Sequence, residues 1–151
     1  KERKKKIKAD TRAKHEKQKE EAIALESGLK YFISEKGDGE PLKVFSKAMT
    51  HYALFFDDGT LLDTSNLSLA EALDAVNERK KAANRYVPIK ADLSPDAPMI
   101  AGFKEGMQQL NVGDKATLFI PYHLGYGEAG SRGIPPKTNL IFEVEILSLV
   151  K

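Results

Sequence analysis

The chain has 151 residues, 41% of them apolar, and a formal charge of +2; this suits one ordinary domain with a modest appendage and excludes a generically disordered chain. No run of about eighteen apolar residues occurs, which excludes a membrane-spanning helix, and the lack of cysteine excludes disulfides, thiol chemistry and a cysteine-based zinc site. A cysteine-free chain fits cytoplasm and periplasm equally, and a start at Lys1 without methionine or apolar leader reads as a fragment or processed form.

Residues 1–26 carry ten Lys or Arg against six Asp or Glu and leave the remainder slightly acidic, so any attraction to nucleic acid or anionic lipid would rest on this segment alone. Its Lys, Glu, Ala and Gln, with no Gly or Pro, favour helix, but Ile7, Ala13, Ala22, Ile23 and Leu25 make no continuous apolar stripe. The expectation is a solvated charged helix or linker. A tether to an upstream domain or a second subunit is the alternative; nucleic acid is discounted because no aromatics interleave the basic residues. Ser27-Gly28 is the expected helix stop.

Strands are predicted over 29–36 and 47–56, the second leading through an Asp58-Gly59 hairpin signal into 60–63. Ser68-Leu69-Ala70-Glu71 then reads as a capping box, and Leu69, Ala72, Leu73 and Val76 recur at helical spacing, which predicts one helix over 69–84 with a polar Arg-Lys end. A short strand over 86–92 and a rigid Ser94-Pro95-Asp96-Ala97-Pro98 connection follow.

From Pro98 the spacing predicts a short helix over 103–110, a turn over 111–114, a strand, a glycine-rich loop over 121–136 and a last strand from Thr138. In that strand Leu140, Phe142, Val144 and Ile146 alternate with Glu143 and Glu145, as in a half-buried strand. The loop holds Tyr122, Tyr126 and Ile134, so it is either the wall of a binding site or a loop folded on its own small cluster. Strands followed by isolated helices, without β-α-β alternation, indicate an α+β fold.

The segments MIAGFKEGMQQLNVGDKATLFIP, LGYGEAG and GIPPKTNLIFEVEIL resemble the C-terminal half of an FKBP-type peptidyl-prolyl isomerase domain, and SGLKYFISEKGDGEP and THYALFFDDGTLLDTS resemble its opening strands. The resemblance spans residues 27–151, with a helical insertion over about 67–95. It implies a twisted antiparallel sheet of five or six strands wrapped on the short helix, with the inserted helix and the N-terminal helix added. It implies isomerisation of Xaa-Pro bonds in polypeptide substrates, with no cofactor, and binding of the macrolides tacrolimus and rapamycin.

Rotation about a peptide bond meets a barrier of about 18–20 kcal/mol, and the exchange needs only an apolar socket for proline and fixed dipoles that favour the twisted amide. By the resemblance, Tyr52, Leu62, Met99, Phe103, Ile134 and Phe142 would line the socket, while Asp63, the Tyr126 hydroxyl and the Ile100 amide would act on the bound peptide. By spacing alone, Tyr52 and Phe142 read as strand core, Asp63 as a residue bonding nearby backbone amides, and Tyr126 as a brace for its loop. Phe103 stands where the family commonly has tryptophan, Leu62 where an aromatic is usual and Pro98 where an acid is frequent, which implies a thinner lining. A peptide-binding or chaperone module using the same socket is therefore the alternative function. His15, His51 and His123 have no metal-ligand spacing, so no metal is assigned.

Overall fold

The computed structural model describes all residues, 1–151. A long helix, α1 (Glu2–Glu21), precedes strands β1 (Ile23–Ala24), β2 (Lys30–Glu35), β3 (Lys47–Phe56) and β4 (Leu61–Thr64). Two short helices, α2 (Leu67–Ala72) and α3 (Glu78–Ala82), lead to β5 (Ile89–Asp92); α4 (Ala101–Met107), β6 (Lys115–Ile120) and β7 (Leu140–Leu149) complete the chain. The fold is α+β, and all seven strands join one antiparallel sheet in the order β1-β2-β6-β7-β3-β4, with β5 also on β3. The expected five or six strands become seven because the two-residue β1 folds back onto Tyr31 and Lys30.

One edge of β3 is shared: Lys47–Thr50 pairs with β5, and Ala53–Phe55 pairs with β4. The insertion leaves and rejoins the sheet on this edge, at the gap opposite His51 and Tyr52. Ser65 and Thr64 satisfy the Tyr52 backbone there, through Ser65 N–H to Tyr52 O (3.0 Å), Tyr52 N–H to Ser65 Oγ (2.8 Å) and Thr64 Oγ1–H to Tyr52 O (2.6 Å). That gap positions the site described below.

The concave face of the sheet closes on α4. Phe103, Met107 and Leu110 pack with Leu118, Ile120, Leu140, Val144 and Ile146 in the main core, so the alternation foreseen in the last strand carries its apolar set to this side. Gly102 and Gly106 allow the close approach: a Cβ at Gly106 would lie 2.7 Å from Leu118 Cδ1, and one at Gly102 2.5 Å from Ile120 Cγ2.

The opposite face carries a second cluster of Ala53, Phe55, Phe119 and Ile141, against which Leu69 and Leu73 of the insertion also pack. Here the expectation of a solvated N-terminal helix is corrected. Thr11 and His15 of α1 are buried on the sheet; the His15 ring meets Phe55 edge-on at 4.8 Å, and Lys14 Nζ and His15 Nε2 reach Glu143 Oε2 at 2.8 and 2.7 Å. Thr11, His15 and Gln18 share a face by their i, i+4, i+7 spacing. The docking is polar, which is why no apolar stripe announced it.

Two further expectations change. The first helix ends at Glu21, ahead of Ser27-Gly28; Gly28, at φ 102°, instead turns the β1–β2 hairpin. The single inserted helix is two: Asn66 caps α2 through Leu69 N–H (3.2 Å), in place of the Ser68–Glu71 capping box, and Asn77 caps α3 through Lys80 N–H (3.0 Å). Between them Asp74 takes φ 55°, a conformation that no continuous helix admits.

Candidate functional site

Tyr52 lies on β3 and Phe142 on β7, where register places Phe142 opposite Leu54 and diagonal to Tyr52. Their rings are 6.4 Å apart between centroids, and Phe103 of α4 comes up against Phe142 at 5.1 Å, edge-on. Of the nine expected site residues, direct contacts join four, the three rings and Asp63 through its bond to Tyr52; Leu62, Met99, Ile100 and Ile134 are partly buried against the core to which Phe103 belongs. Phe103 is 1% exposed, so it supports Phe142 from within the core and does not line an open socket as expected.

Ile100 is the N-terminal cap of α4, extended at φ −63° and ψ 148°. Its carbonyl accepts from Phe103 and Lys104, while its own N–H donates to no group of the protein, as the first donors of a helix are left to do. Tyr126 stands further out: it is 39% exposed and its hydroxyl has no protein partner. Its loop is firmly bonded within itself, through Gly127 N–H to Tyr122 O (2.9 Å), Gly130 N–H to Tyr126 O (3.1 Å) and Lys137 N–H to Gly127 O (3.0 Å). The loop is thus internally hydrogen-bonded and leaves the Tyr126 hydroxyl free.

Asp63 is held by more than the backbone. Tyr52 donates its hydroxyl to Asp63 Oδ2 (2.6 Å), while Lys80 Nζ (2.8 Å) and Thr64 N–H (2.9 Å) donate to Oδ1. Burial alone would raise the Asp63 pKa, but the Lys80 and Tyr52 hydrogen bonds, the Lys80 charge and the Thr64 amide outweigh it and hold the carboxyl below the usual range. For Tyr52, burial and then the bond to the ionised Asp63 push the phenol up. Asp63 is therefore a fixed anion with both oxygens engaged, able to set a field and unsuited to shuttling protons.

Lys80 is the residue that sequence reasoning missed. It comes from α3, lies above the rings of Tyr52 (5.7 Å) and Tyr86 (5.0 Å), and also donates to Thr64 O (2.5 Å). In sequence it belongs to an Arg-Lys run that reads as a solvated helix end. The only available signal was that the insertion stands beside the expected socket.

A hollow of about 290 Å³ lies between Tyr52, Asp63 and the insertion. Of two further cavities beside α1, one is lined by Lys14, Thr117 and Glu143 and also borders Tyr52, and the other is lined by His15, Phe119 and Ile141 among others. No group of three or more His, Cys, Asp or Glu side chains is arranged to hold a metal.

Residues 39–147 match the family model described as FKBP-type peptidyl-prolyl cis-trans isomerase. The chain belongs to that family. Among curated relatives, FkpA of Aeromonas hydrophila is 32% identical over 133 residues, covering 88% of this chain and 42% of its own. The peptidyl-prolyl cis-trans isomerase Mip of Chlamydia muridarum is 35% identical over 135 residues, covering 89% and 46%. The chain thus spans less than half the length of these relatives. The crystal structure of FkpA from Escherichia coli superposes with a TM-score of 0.68 at 30% identity, over 97% of this chain and 62% of that one. A Pseudomonas syringae isomerase structure, 23% identical, shares the fold at a TM-score of 0.69, with 97% and 92% covered. The FKBP-type match begins at Gly39, so α1, β1 and β2 lie outside it.

Proposed function

We propose that this FKBP-type domain catalyses cis-trans isomerisation of Xaa-Pro bonds in polypeptides. The observation that carries the reading is the Tyr52–Phe142–Phe103 trio beside an Ile100 amide with no protein partner. A proline ring would rest on Phe142 and Tyr52 with Met99 and Ile134 at its sides. The Ile100 N–H would then donate to a carbonyl of the bound peptide, and the Tyr126 hydroxyl to a second. The Asp63 charge would act on the twisting amide as a fixed field. Such groups accelerate rotation only where they favour the non-planar amide over the planar one.

Exchange NMR on an Ala-Pro peptide tests this directly: cross-peaks between cis and trans forms should appear at micromolar protein, and a rate equal to the spontaneous one sinks the proposal. Tyr126→Phe should lower kcat/KM by about 2- to 10-fold, the loss of one net hydrogen bond. Asp63→Ala should lower it further, since Tyr52 and Lys80 also lose their partner.

A second reading, a module that holds unfolded chains with turnover incidental, is favoured by the exposed apolar Val87 on the insertion beside the socket. Shortening the insertion to a tight turn should then abolish suppression of aggregation and spare isomerisation. Macrolide binding, and a tether or dimer arm built on α1, are companion proposals. Competition of tacrolimus with the peptide tests the first, and light scattering the second.

A further inference from the structure

At the start of β3, the opposite end from its hairpin with β4, a tight turn over Lys43–Ser46 presents Val44 and Phe45 to solvent, 48% and 66% exposed. Exposed apolar residues scattered singly need no explanation, but these two are adjacent and stand at the tip of one turn. Phe45 also holds φ 72°, where a bulky residue is strained, so neither burial nor backbone preference accounts for an aromatic ring here. Val150, 37% exposed, comes beside them because its N–H bonds Lys47 O at 2.8 Å.

The charge around this tip is one-sided. Lys43 and Lys47 flank it, and the β3–β5 register sets Lys90 opposite Met49, diagonal to Lys47 on the same face of the sheet. All three lysines are exposed, and none forms an ion pair. Asp92, opposite Lys47, is the one acid in this register, and Lys151 is occupied with Glu40 at 3.5 Å. The sequence confines any attraction to anionic lipid to residues 1–26, whereas folding gathers a second basic cluster from two stretches that are distant in the chain.

We propose that this corner docks on an anionic lipid surface, with Phe45 and Val44 entering the boundary between headgroups and acyl chains and Lys43, Lys47 and Lys90 facing the headgroup phosphates. Charge complementarity selects an anionic partner, and the size of the tip selects a fluid one. Two apolar side chains on one turn fall far short of the core of a specific protein–protein interface, whereas a bilayer interface receives a small apolar tip wherever it lands. Neither the ring nor the lysines suffice alone, so docking is reversible and salt-sensitive. The surface lies outside the aromatic trio and adds to the isomerase reading without depending on it.

The chain has no tryptophan, so Phe45→Trp creates a single reporter at the tip. Its emission should shift to the blue on phosphatidylcholine vesicles containing about 30 mol% phosphatidylglycerol and stay unchanged on pure phosphatidylcholine. The unaltered chain should sediment with the anionic vesicles and leave them at high salt. Phe45→Gly, at a turn position that glycine suits, should weaken this binding by about 10-fold, and Lys43→Gln with Lys47→Gln by about 10- to 30-fold. Lys4→Gln with Lys5→Gln should cost less than either, since α1 pairs Lys8 with Asp58 at the other end of β3. No blue shift, or vesicle binding that survives Phe45→Gly and follows Lys4 and Lys5, overturns the proposal. So does Phe45-dependent self-association in light scattering without vesicle binding, which would make a second copy the occupant. Phe45-dependent binding of polyglutamate without vesicle binding would make it an acidic protein, and overturns the proposal equally.

Discussion

Phe45 occupies a position that its own chemistry opposes. Lys43 to Ser46 form a tight turn, closed by Ser46 N–H to Lys43 O (3.0 Å) and Lys43 N–H to Ser46 Oγ (2.8 Å), and Phe45 sits at its third position with φ 72°. A bulky side chain there costs about 1–2 kcal/mol, whereas glycine loses only unfolded-state entropy. The ring is 66% exposed and returns little burial. Phe45→Gly should therefore stabilise the fold by about 0.5–1 kcal/mol, read as a higher urea midpoint at unchanged m-value; a lower midpoint would mean the ring has a packing partner. Other residues were legible to different degrees. Tyr52, Phe103 and Phe142 could be placed by motif because strand register and a short helix determine where they meet. Lys80 could not, since its link to Asp63 crosses 17 residues and two turns that leave no periodic trace.

Among the elements, strands read best and polar contacts worst. The 47–56 strand appears with the expected bounds because it alternates and ends at a hairpin glycine. The inserted helix divides because Asn66 and Asn77 each outcompete a continuous ladder, and helix spacing across Asp74 conceals the break. The docking of α1 rests on Glu143, and its pH response follows. Burial alone would raise the Glu143 pKa, but the His15 hydrogen bond and the Lys14 charge and hydrogen bond override it, so the carboxyl lies below its ordinary value of 4.5. A depressed carboxylate contributes stability that is full above the unfolded pKa and is lost as pH falls through the folded one. Acid should loosen α1 below about pH 4.5, the ordinary value, and Glu143→Gln should lower stability at pH 7 while flattening that acid limb. Chemical denaturation at a series of pH values checks both.

For the molecule as a whole, the sheet has two covered faces with different duties. α4 closes the concave side under the aromatic trio, while on the other side α1 meets Phe55 through His15, lines a cavity together with Phe119 and Ile141, and lies outside the segment that matches the family. Removing residues 1–21 should expose that cluster while leaving the trio, Asp63 and Ile100 in place. Uncovering part of three large apolar side chains costs on the order of 2–4 kcal/mol. The loss is offset only slightly by the freedom α1 regains, since a charged helix of this length keeps some structure alone. The shortened chain should melt earlier and bind a hydrophobic dye, yet retain its peptide isomerisation rate at temperatures well below melting. Unchanged stability and no dye binding would show that α1 rests on the sheet without supporting it. A rate that fell in step with stability would show that the two faces are coupled through β3 and β7, the strands that carry both Tyr52 with Phe142 and Phe55 with Ile141.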